Sequence, residues 1–206
     1  MALVCKLQER ARSDLKLMVM SATMDAAAVA ARLGCAKVET ADRLYPIDIR
    51  YADGSASVWD RAAGALAALL SEGQSGDVLV FMPGAFEIRR TIEAMQRSAR
   101  RASGAEPLAY FPLHGRLPPR ELDAAIAPHT HRKFIVATNV AETSITIEGV
   151  RHVIDSGLAR AHRYDHNRGI DVLLVEAVSQ NSTQQRAGRA GRSEPGTCTR
   201  LWSRSE

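Results

Sequence analysis

Three arginines near the end of the sequence have the type and spacing that phosphate chemistry requires. They lie in the run QRAGRAGR at residues 185–192. A guanidinium group binds phosphate through a planar fork of N–H donors. Because residues three apart share an arc of a helix surface, Arg186, Arg189 and Arg192 are predicted to address one polyanion together. The alternative is a basic helix that only faces solvent.

The same run predicts where its helix begins and why it contains glycine. Ser182 and Gln185 fit the S-x-x-Q pattern, in which two side chains satisfy free amides of the first helical turn. Gly188 and Gly191 each cost about 1 kcal/mol relative to alanine inside a helix. Glycine is easier to explain at these two positions if a phosphate or another backbone must come close to them.

A second polar stretch follows an apolar run and reads FIVATNVAETSITIEGVRHV at residues 134–153. We expect a strand to end at Thr138 and a new strand to begin near Val150. Loops at the carboxyl ends of such strands are where α/β sheets bind ligands. Short hydroxyl and amide groups suit sugar-phosphate oxygens, which are contacted without reading sequence. The alternative is a loop that satisfies its own backbone. The candidate donors are Thr138, Asn139, Thr143, Ser144 and Thr146.

The composition favours an anionic partner. The formal charge is +4 and the basic residues are mostly arginine. Cys5, Cys35 and Cys198 are far apart and form no CxxC pair, so we expect reduced thiols and no metal site. The sequence has no apolar run of about 18 residues and no secretion signal, so we expect no membrane span and a cytoplasmic location.

The elements that must position these residues alternate between apolar runs of strand length and longer helical patterns. This alternation predicts an α/β fold with a mainly parallel sheet covered on both faces. Charged residues around a turn at 166–169 predict a β-hairpin over about 158–178. The strands are predicted at 15–20, 47–51, 78–82, 107–113, 134–138 and 150–155, and the helices at 25–34, 58–70, 85–100 and 121–127.

Six segments, in this order, resemble the superfamily 2 helicases, in particular the bacterial HrpB-type members of the DEAH-box branch. Together they span nearly the whole chain. The resemblance implies a RecA-like three-layer sandwich with a projecting β-hairpin. It assigns residues 44–206 to the second RecA-like lobe and residues 1–43 to a remnant of the first. The segments are MSAT at 20–23, VFMPGAFEI at 80–88, PLHGRLPP at 112–119, ATNVAETSITIEGV at 137–150, QRAGRAGR at 185–192 and PGTCTRLW at 195–202.

The resemblance implies that two lobes hold ATP and Mg²⁺ between them. Gln185 is then expected to position the attacking water, and Arg189 and Arg192 to be the arginine fingers. Such fingers neutralise charge that develops during phosphoryl transfer. Further nucleotide contacts are expected from Glu148, at the ribose, and from Arg186 and Gly188.

The resemblance also implies contacts with a strand of RNA or DNA and with other parts of a full-length protein. The hairpin is expected to engage the strand, and the partners are a first RecA-like lobe and C-terminal domains. Ser21, Ala22 and Thr23 are expected to couple the nucleotide state to lobe movement. The residues expected to grip the strand backbone are Thr138, Asn139, Thr143 and Ser144.

Two motifs of an ATP site are missing from the sequence. Neither G-x-x-x-x-G-K-[ST] nor a DEAH box occurs, so we expect this chain by itself to hydrolyse no nucleotide. The position aligned with the adenine-stacking aromatic of many relatives holds Ile126, which departs from the family. The alternative functions are a non-catalytic nucleic-acid-binding module on a helicase-like scaffold, or an incomplete product without activity.

Overall fold

The computed structural model describes residues 2–20, 26–38, 45–101, 107–143 and 145–204. The chain divides into two compact units, Met1–Ala41 and Asp42–Glu206. The predicted boundary between residues 43 and 44 falls outside the described residues and remains a prediction.

In the first unit, helix α1 spans Ala2–Arg10 and helix α2 spans Ala26–Leu33. The strand predicted at 15–20 is wrong, because these residues belong to no helix or strand. A strand needs a neighbour to pair its backbone N–H and C=O groups. The described part of this unit offers only helices.

The second unit is built on strands whose carboxyl ends meet at one edge. Its strands are β1 Ile47–Tyr51, β2 Asp77–Phe81, β3 Leu108–Leu113, β4 Arg132–Ala137, β5 Val150–Asp155, β6 Leu158–Asp165, β7 Ile170–Ala177 and β8 Gly196–Arg200. Six of them form one sheet in the order β1-β8-β5-β2-β4-β3. Each neighbouring pair in that sheet is parallel. The sheet therefore has a carboxyl edge and an amino edge.

Helices cover both faces of this sheet. They are α3 Val58–Ser71, α4 Ala85–Arg101, α5 Pro119–Ile126, α6 Val140–Thr143 and α7 Gln180–Ala187. Successive side chains of β2 point to opposite faces. Val78 and Val80 pack with residues of α3 and α4, whereas Leu79 and Phe81 pack with residues of α5, α6 and α7. These two cores make a three-layer α/β sandwich, so the predicted fold class is confirmed.

Strands β6 and β7 form a separate two-stranded antiparallel sheet, which confirms the predicted hairpin. The hairpin turn lies at 166–169, where the Asp165 carboxylate accepts hydrogen bonds from the backbone N–H groups of Asn167 and Arg168. Gly169 has a φ of 65°, a conformation that glycine adopts without strain. The hairpin leaves the sheet directly after β5, so its base lies at the carboxyl edge.

Candidate nucleotide and nucleic-acid site

The predicted site residues divide between the two edges of the sheet. Thr138 and Asn139 directly follow β4 and therefore lie at the carboxyl edge, where Asn139 is exposed. Glu148 precedes β5 and Arg192 precedes β8, and both are exposed. Because β5 and β8 are neighbours, Glu148 and Arg192 lie at adjoining strand starts on the amino edge. A strand of six residues separates the edges by about 20 Å.

The loop after β4 folds into the short helix α6. The backbone N–H of Thr138 donates to the Leu113 carbonyl at 3.0 Å, and the Asn139 carbonyl accepts from the Glu142 N–H at 3.0 Å. These bonds hold Thr138 and Asn139 between β3 and α6. Thr143 ends α6, but its side chain is not described, and Ser144 lies outside the described residues.

Helix α7 begins earlier than the predicted capping pattern. It starts at Gln180, and the Ser179 hydroxyl accepts a hydrogen bond from the Ser182 N–H at 3.2 Å. Ser179 is the N-cap, so the prediction of a capping box from Ser182 to Gln185 is wrong. The reason is that Ser179 has the required hydroxyl one turn earlier. Gln185 is half-buried on this helix.

Helix α7 also ends too early to carry all three arginines on one arc of its surface, as was predicted. It ends at Ala187, with Gly188 as its C-cap, so Arg189 and Arg192 lie in the turns that follow. The prediction that all three arginines share one helix face is therefore wrong. Glycine is a poor helix former, and the side chain of Arg189 has partners elsewhere.

Arg186 is buried at the centre of the site, with 1% of its surface exposed. Its Nε lies 3.2 Å from a Glu142 carboxylate oxygen, and its Nη1 lies 2.8 Å from Oδ1 of Asp155. Nη1 also donates to the Leu158 carbonyl at the hairpin base. Its guanidinium carbon lies 4.9 Å from the ring centroid of Phe81. These partners hold Arg186 inside the protein, which does not favour the predicted nucleotide contact.

Asp155, at the end of β5, is fully buried. Burial raises the pKa of this carboxyl group, and the positive charge of Arg186 opposes that rise. A buried charge requires a hydrogen-bonded counter-charge. Asp155 and Arg186 therefore depend on each other.

Arg189 is also buried, with 6% of its surface exposed. Its Nε donates to the Glu142 carbonyl at 3.1 Å and its Nη1 to the Ile145 carbonyl at 2.5 Å, while Nη2 also donates to Glu142. The carbonyls at the end of a helix have no partner within the helix, and basic side chains commonly bind them. Burial, with a contribution from Arg192, lowers the pKa of Arg189 to about 10.

The two glycines of the run differ. A Cβ added at Gly191 would lie 2.6 Å from the Tyr45 carbonyl oxygen, and the Gly191 carbonyl accepts from the Tyr45 N–H at 2.9 Å. The backbone of Tyr45 therefore lies against Gly191, as expected if this glycine is needed where another backbone comes close. At Gly188 the nearest atom to an added Cβ is 3.4 Å away, which is ordinary contact.

The arginine run is fastened to the loop after β4 by three side chains. Arg186 binds the Glu142 carboxylate, Arg189 binds the Glu142 and Ile145 carbonyls, and Arg192 donates to the Thr146 hydroxyl at 3.1 Å. We call these contacts between residues 142–146 and 186–192 the loop clamp. It joins the segment that contains the predicted nucleotide residues to the segment that contains the predicted strand residues.

Neither Glu142 nor Asp155 was predicted from the sequence as a site residue. Glu142 lies inside ATNVAETSITIEGV, where an acidic side chain in a polar loop was a weak signal for an arginine partner. Ser21, Ala22 and Thr23 lie outside the described residues. The described ranges contain no cluster of three His, Cys, Asp or Glu side chains that could bind a metal ion. No helix within them is long and apolar enough to cross a bilayer.

Comparisons with known proteins agree with the motifs. Residues 61–194 match the model of the helicase conserved C-terminal domain. The chain is 36% identical over 202 residues to ATP-dependent RNA helicase HrpA of Escherichia coli (strain K12), covering 95% of this chain and 15% of HrpA. It is 39% identical over 210 residues to ATP-dependent RNA helicase HrpB of the same organism, covering 100% of this chain and 25% of HrpB.

The crystal structure of the E. coli DExH-box NTPase HrpB superimposes with a TM-score of 0.86 at 38% identity, covering 99% of this chain and 25% of that chain. The resemblance to HrpB-type DEAH-box helicases is therefore confirmed. The chain spans a quarter or less of the length of these relatives.

Proposed function

Because this chain belongs to the family of helicase conserved C-terminal domains, we propose that it acts as the second RecA-like lobe of an ATP-dependent helicase. Its polymer is RNA or DNA, and its location is cytoplasmic. The relatives HrpA and HrpB are named ATP-dependent RNA helicases. The observation that supports the proposal is the loop clamp, because it connects residues proposed to contact a nucleotide with the loop proposed to contact a nucleic-acid strand.

Arg192 is the arginine best placed to act on a triphosphate. It is exposed at the amino edge, where Glu148 is also exposed. A cation there fits an anionic phosphate, and an acidic side chain fits the hydroxyl groups of a ribose. Arg189 contributes the second finger after it exchanges the Glu142 and Ile145 carbonyls for phosphate, while Gln185 orients the attacking water. Arg186 and Gly188, predicted as nucleotide contacts, instead hold the arginine run in place. Arg186 does so through its buried pair with Asp155, and Gly188 does so as the C-cap of α7.

The first lobe has to supply the remaining chemistry. ATP is bound through its phosphates there, and Mg²⁺ is held by acidic residues of that lobe. The Ser21-Ala22-Thr23 segment is proposed to couple the nucleotide state to lobe movement.

The carboxyl edge is proposed to hold the nucleic-acid strand. Asn139 is exposed there and Thr138 lies beside it. Short polar side chains and backbone amides bind sugar-phosphate without reading bases. Thr143 and Ser144 belong to the same loop, and the hairpin base adjoins that edge, so all three are included in the proposed strand contacts.

The proposal is tested in a chimera in which this chain replaces the matching segment of E. coli HrpB. The two are 38% identical and superimpose closely, which makes the exchange feasible. We expect ATP hydrolysis that RNA stimulates. Arg192→Gln should lower the stimulated kcat by about 10³, the lower range for loss of an arginine finger.

The matched control is Arg97→Gln, which removes one positive charge from an exposed position on α4. It should leave kcat unchanged. A chimera that hydrolyses ATP equally well with Arg192→Gln would contradict the proposed role. A chimera that binds RNA and hydrolyses nothing would favour the alternative of a non-catalytic binding module.

A further inference from the structure

A groove of about 570 Å³ opens at the carboxyl edge, on the other side of the hairpin base from Thr138. Its walls come from the carboxyl ends of β1 and β8, from the base of the hairpin and from the first turns of α7. Cavities of a few hundred Å³ are the size that holds small ligands. The residues used below are Tyr51 at the end of β1, Gly157 after β5, Arg200 at the end of β8, and Trp202 and Arg204 after it.

The charges that line this groove all have one sign. Arg200 and Arg204 are its only ionisable lining residues apart from Tyr51, and no carboxylate faces it among the described residues. Arg204 is exposed. The start of α7 also lines the groove and adds the positive end of a helix dipole. The groove therefore favours an anionic ligand.

Two aromatic rings line the same groove. The guanidinium carbon of Arg200 is 5.5 Å from the Trp202 ring centroid and 5.7 Å from that of Tyr51. The Arg200 Nη1 also donates to the Tyr51 hydroxyl at 3.0 Å. These contacts fix the rings beside a cation.

The position of Trp202 is further determined by Gly157. A Cβ at Gly157 would lie 2.9 Å from the Trp202 ring, so only glycine allows the indole to lie there. The Gly157 carbonyl accepts from the Val178 N–H at 2.8 Å, which closes the hairpin base against the groove. The indole is thus held in place at the wall.

We propose that this groove binds a nucleotide of a single-stranded nucleic acid, with the base against the aromatic rings and the phosphate at Arg204. Aromatic side chains bind bases by stacking, and arginines bind the backbone that connects them. An acidic peptide would satisfy the arginines but would gain little from Tyr51 and Trp202. This proposal rests on the proposed function and extends its strand contacts.

The location of the groove is continuous with the proposed strand contacts. The groove and Thr138 lie at the same edge of one sheet, and β2 and β5 separate β4 from β8. Neighbouring strands are about 4.8 Å apart, so β4 and β8 are about 14 Å apart. A nucleic-acid strand that leaves Thr138 and Asn139 and passes the hairpin base therefore reaches the groove.

The chain contains only two tryptophans, which provides a direct reporter. In a Trp59→Phe background, Trp202 is the only indole. We expect a single-stranded oligouridylate to quench its emission in a saturable manner, because a base stacks on the ring. In the same background, Arg204→Gln should weaken the affinity about tenfold, the effect of losing one charge-assisted hydrogen bond.

Two variants of Trp202 distinguish binding in the groove from binding at the other proposed nucleic-acid contacts. Trp202→Phe keeps an aromatic ring and should retain most of the affinity, whereas Trp202→Ala should weaken it about tenfold. Arg97→Gln removes a charge from α4 and should change nothing. Total binding is measured independently by the anisotropy of a labelled oligouridylate, and Asn139→Ala reports on the proposed contacts at Thr138 and Asn139.

The outcomes are distinct. Binding that Asn139→Ala weakens, with no quenching of Trp202 and no effect of Arg204→Gln, would overturn the groove and leave the proposed function standing. An acidic peptide that quenches Trp202 more strongly than the oligonucleotide would assign the groove to a protein partner and overturn the proposal. Absence of oligonucleotide binding in every form of the chain would contradict both the groove and the proposed strand contacts.

Discussion

Arg186 and Asp155 form a charge pair that the interior of the protein encloses. Their side chains are 1% and 0% exposed, and the pair is 2.8 Å apart. Moving a charge out of water is costly, so either partner alone is strongly unfavourable. The pair therefore makes the end of β5 and the middle of α7 depend on each other.

Removing Asp155 should destabilise the second unit. We expect Asp155→Ala to lower the free energy of unfolding by about 3–5 kcal/mol, because Arg186 is left buried without its closest counter-charge. The free energy of unfolding is measured by urea denaturation, monitored by circular dichroism. Glu176→Ala breaks the exposed pair with Arg163 on the hairpin and should leave the midpoint unchanged. Equal effects of the two substitutions would contradict this account of Arg186.

His152 gives the second unit a pH dependence. The side chain is 1% exposed, and its ring nitrogens contact the Thr197 hydroxyl at 2.9 Å and the Ser75 carbonyl at 2.8 Å. Burial lowers the pKa of His152, and the nearby arginines at 132, 151 and 50 lower it further, while the Ser75 carbonyl opposes the change. The folded protein therefore binds the proton less readily than the unfolded chain.

Stability should consequently fall as the pH drops below about 6.5, the usual pKa of histidine. We expect His152→Gln to flatten this fall between about pH 7 and pH 5, whatever its effect at neutral pH. The measurement is the free energy of unfolding across that range. His162→Gln, at an exposed position of the hairpin, is the control and should keep the slope. An unchanged slope for His152→Gln would refute the assignment.

At the scale of elements, the turns after α7 are determined by close backbone packing. Gly191 lies against the backbone of Tyr45, immediately before β1, whereas Gly188 has room beside it. We expect Gly191→Ala to cost about 1–3 kcal/mol through overpacking. Gly188→Ala should change stability by less than about 1 kcal/mol, because its φ of −60° suits any residue.

Thermal unfolding of the two glycine variants compares them directly. A lower midpoint for Gly191→Ala alone is the expected result. If both variants unfolded at the same temperature as the original chain, the close approach of Tyr45 would have no energetic consequence, and the position of Arg192 would need another explanation.

Much of the sheet could be predicted because its central strands are buried on both faces. Their apolar runs are continuous, as in β2 and β4, and the hairpin was predicted from its turn. The strand predicted at 15–20 failed because apolar composition alone does not provide a pairing partner. Helix α6 and strand β8 were not predicted, since α6 is a single turn and β8 mixes threonine with arginine.

The partners and the burial of each arginine could not be predicted from the spacing of the motif. Arg186 and Glu142 are 44 residues apart, and Arg189 finds its carbonyl partners across a similar separation. Such contacts depend on how α6 packs against α7 and the turns that follow it, which helix periodicity does not report. The spacing of the motif indicated neither which arginine would be buried nor which residues would bind it.

At the scale of the whole molecule, the loop clamp links two edges of one sheet. The residues proposed to bind a nucleic-acid strand lie at the carboxyl edge and Arg192 lies at the amino edge. Between them, Glu142 binds Arg186 through its carboxylate and Arg189 through its carbonyl. Under the proposed function, a nucleic-acid strand that moves the loop after β4 would also move the arginine run. We propose that this link couples nucleic-acid binding to ATP hydrolysis.

The measurement that tests this claim most directly is the stimulation of ATP hydrolysis by RNA in the HrpB chimera with Glu142→Gln. The substitution keeps the size of the side chain and removes the charge that binds Arg186. We expect the rate without RNA to stay the same and the stimulation by RNA to fall about tenfold, the effect of one charge-assisted hydrogen bond. Full stimulation in this variant would contradict the coupling role of the loop clamp.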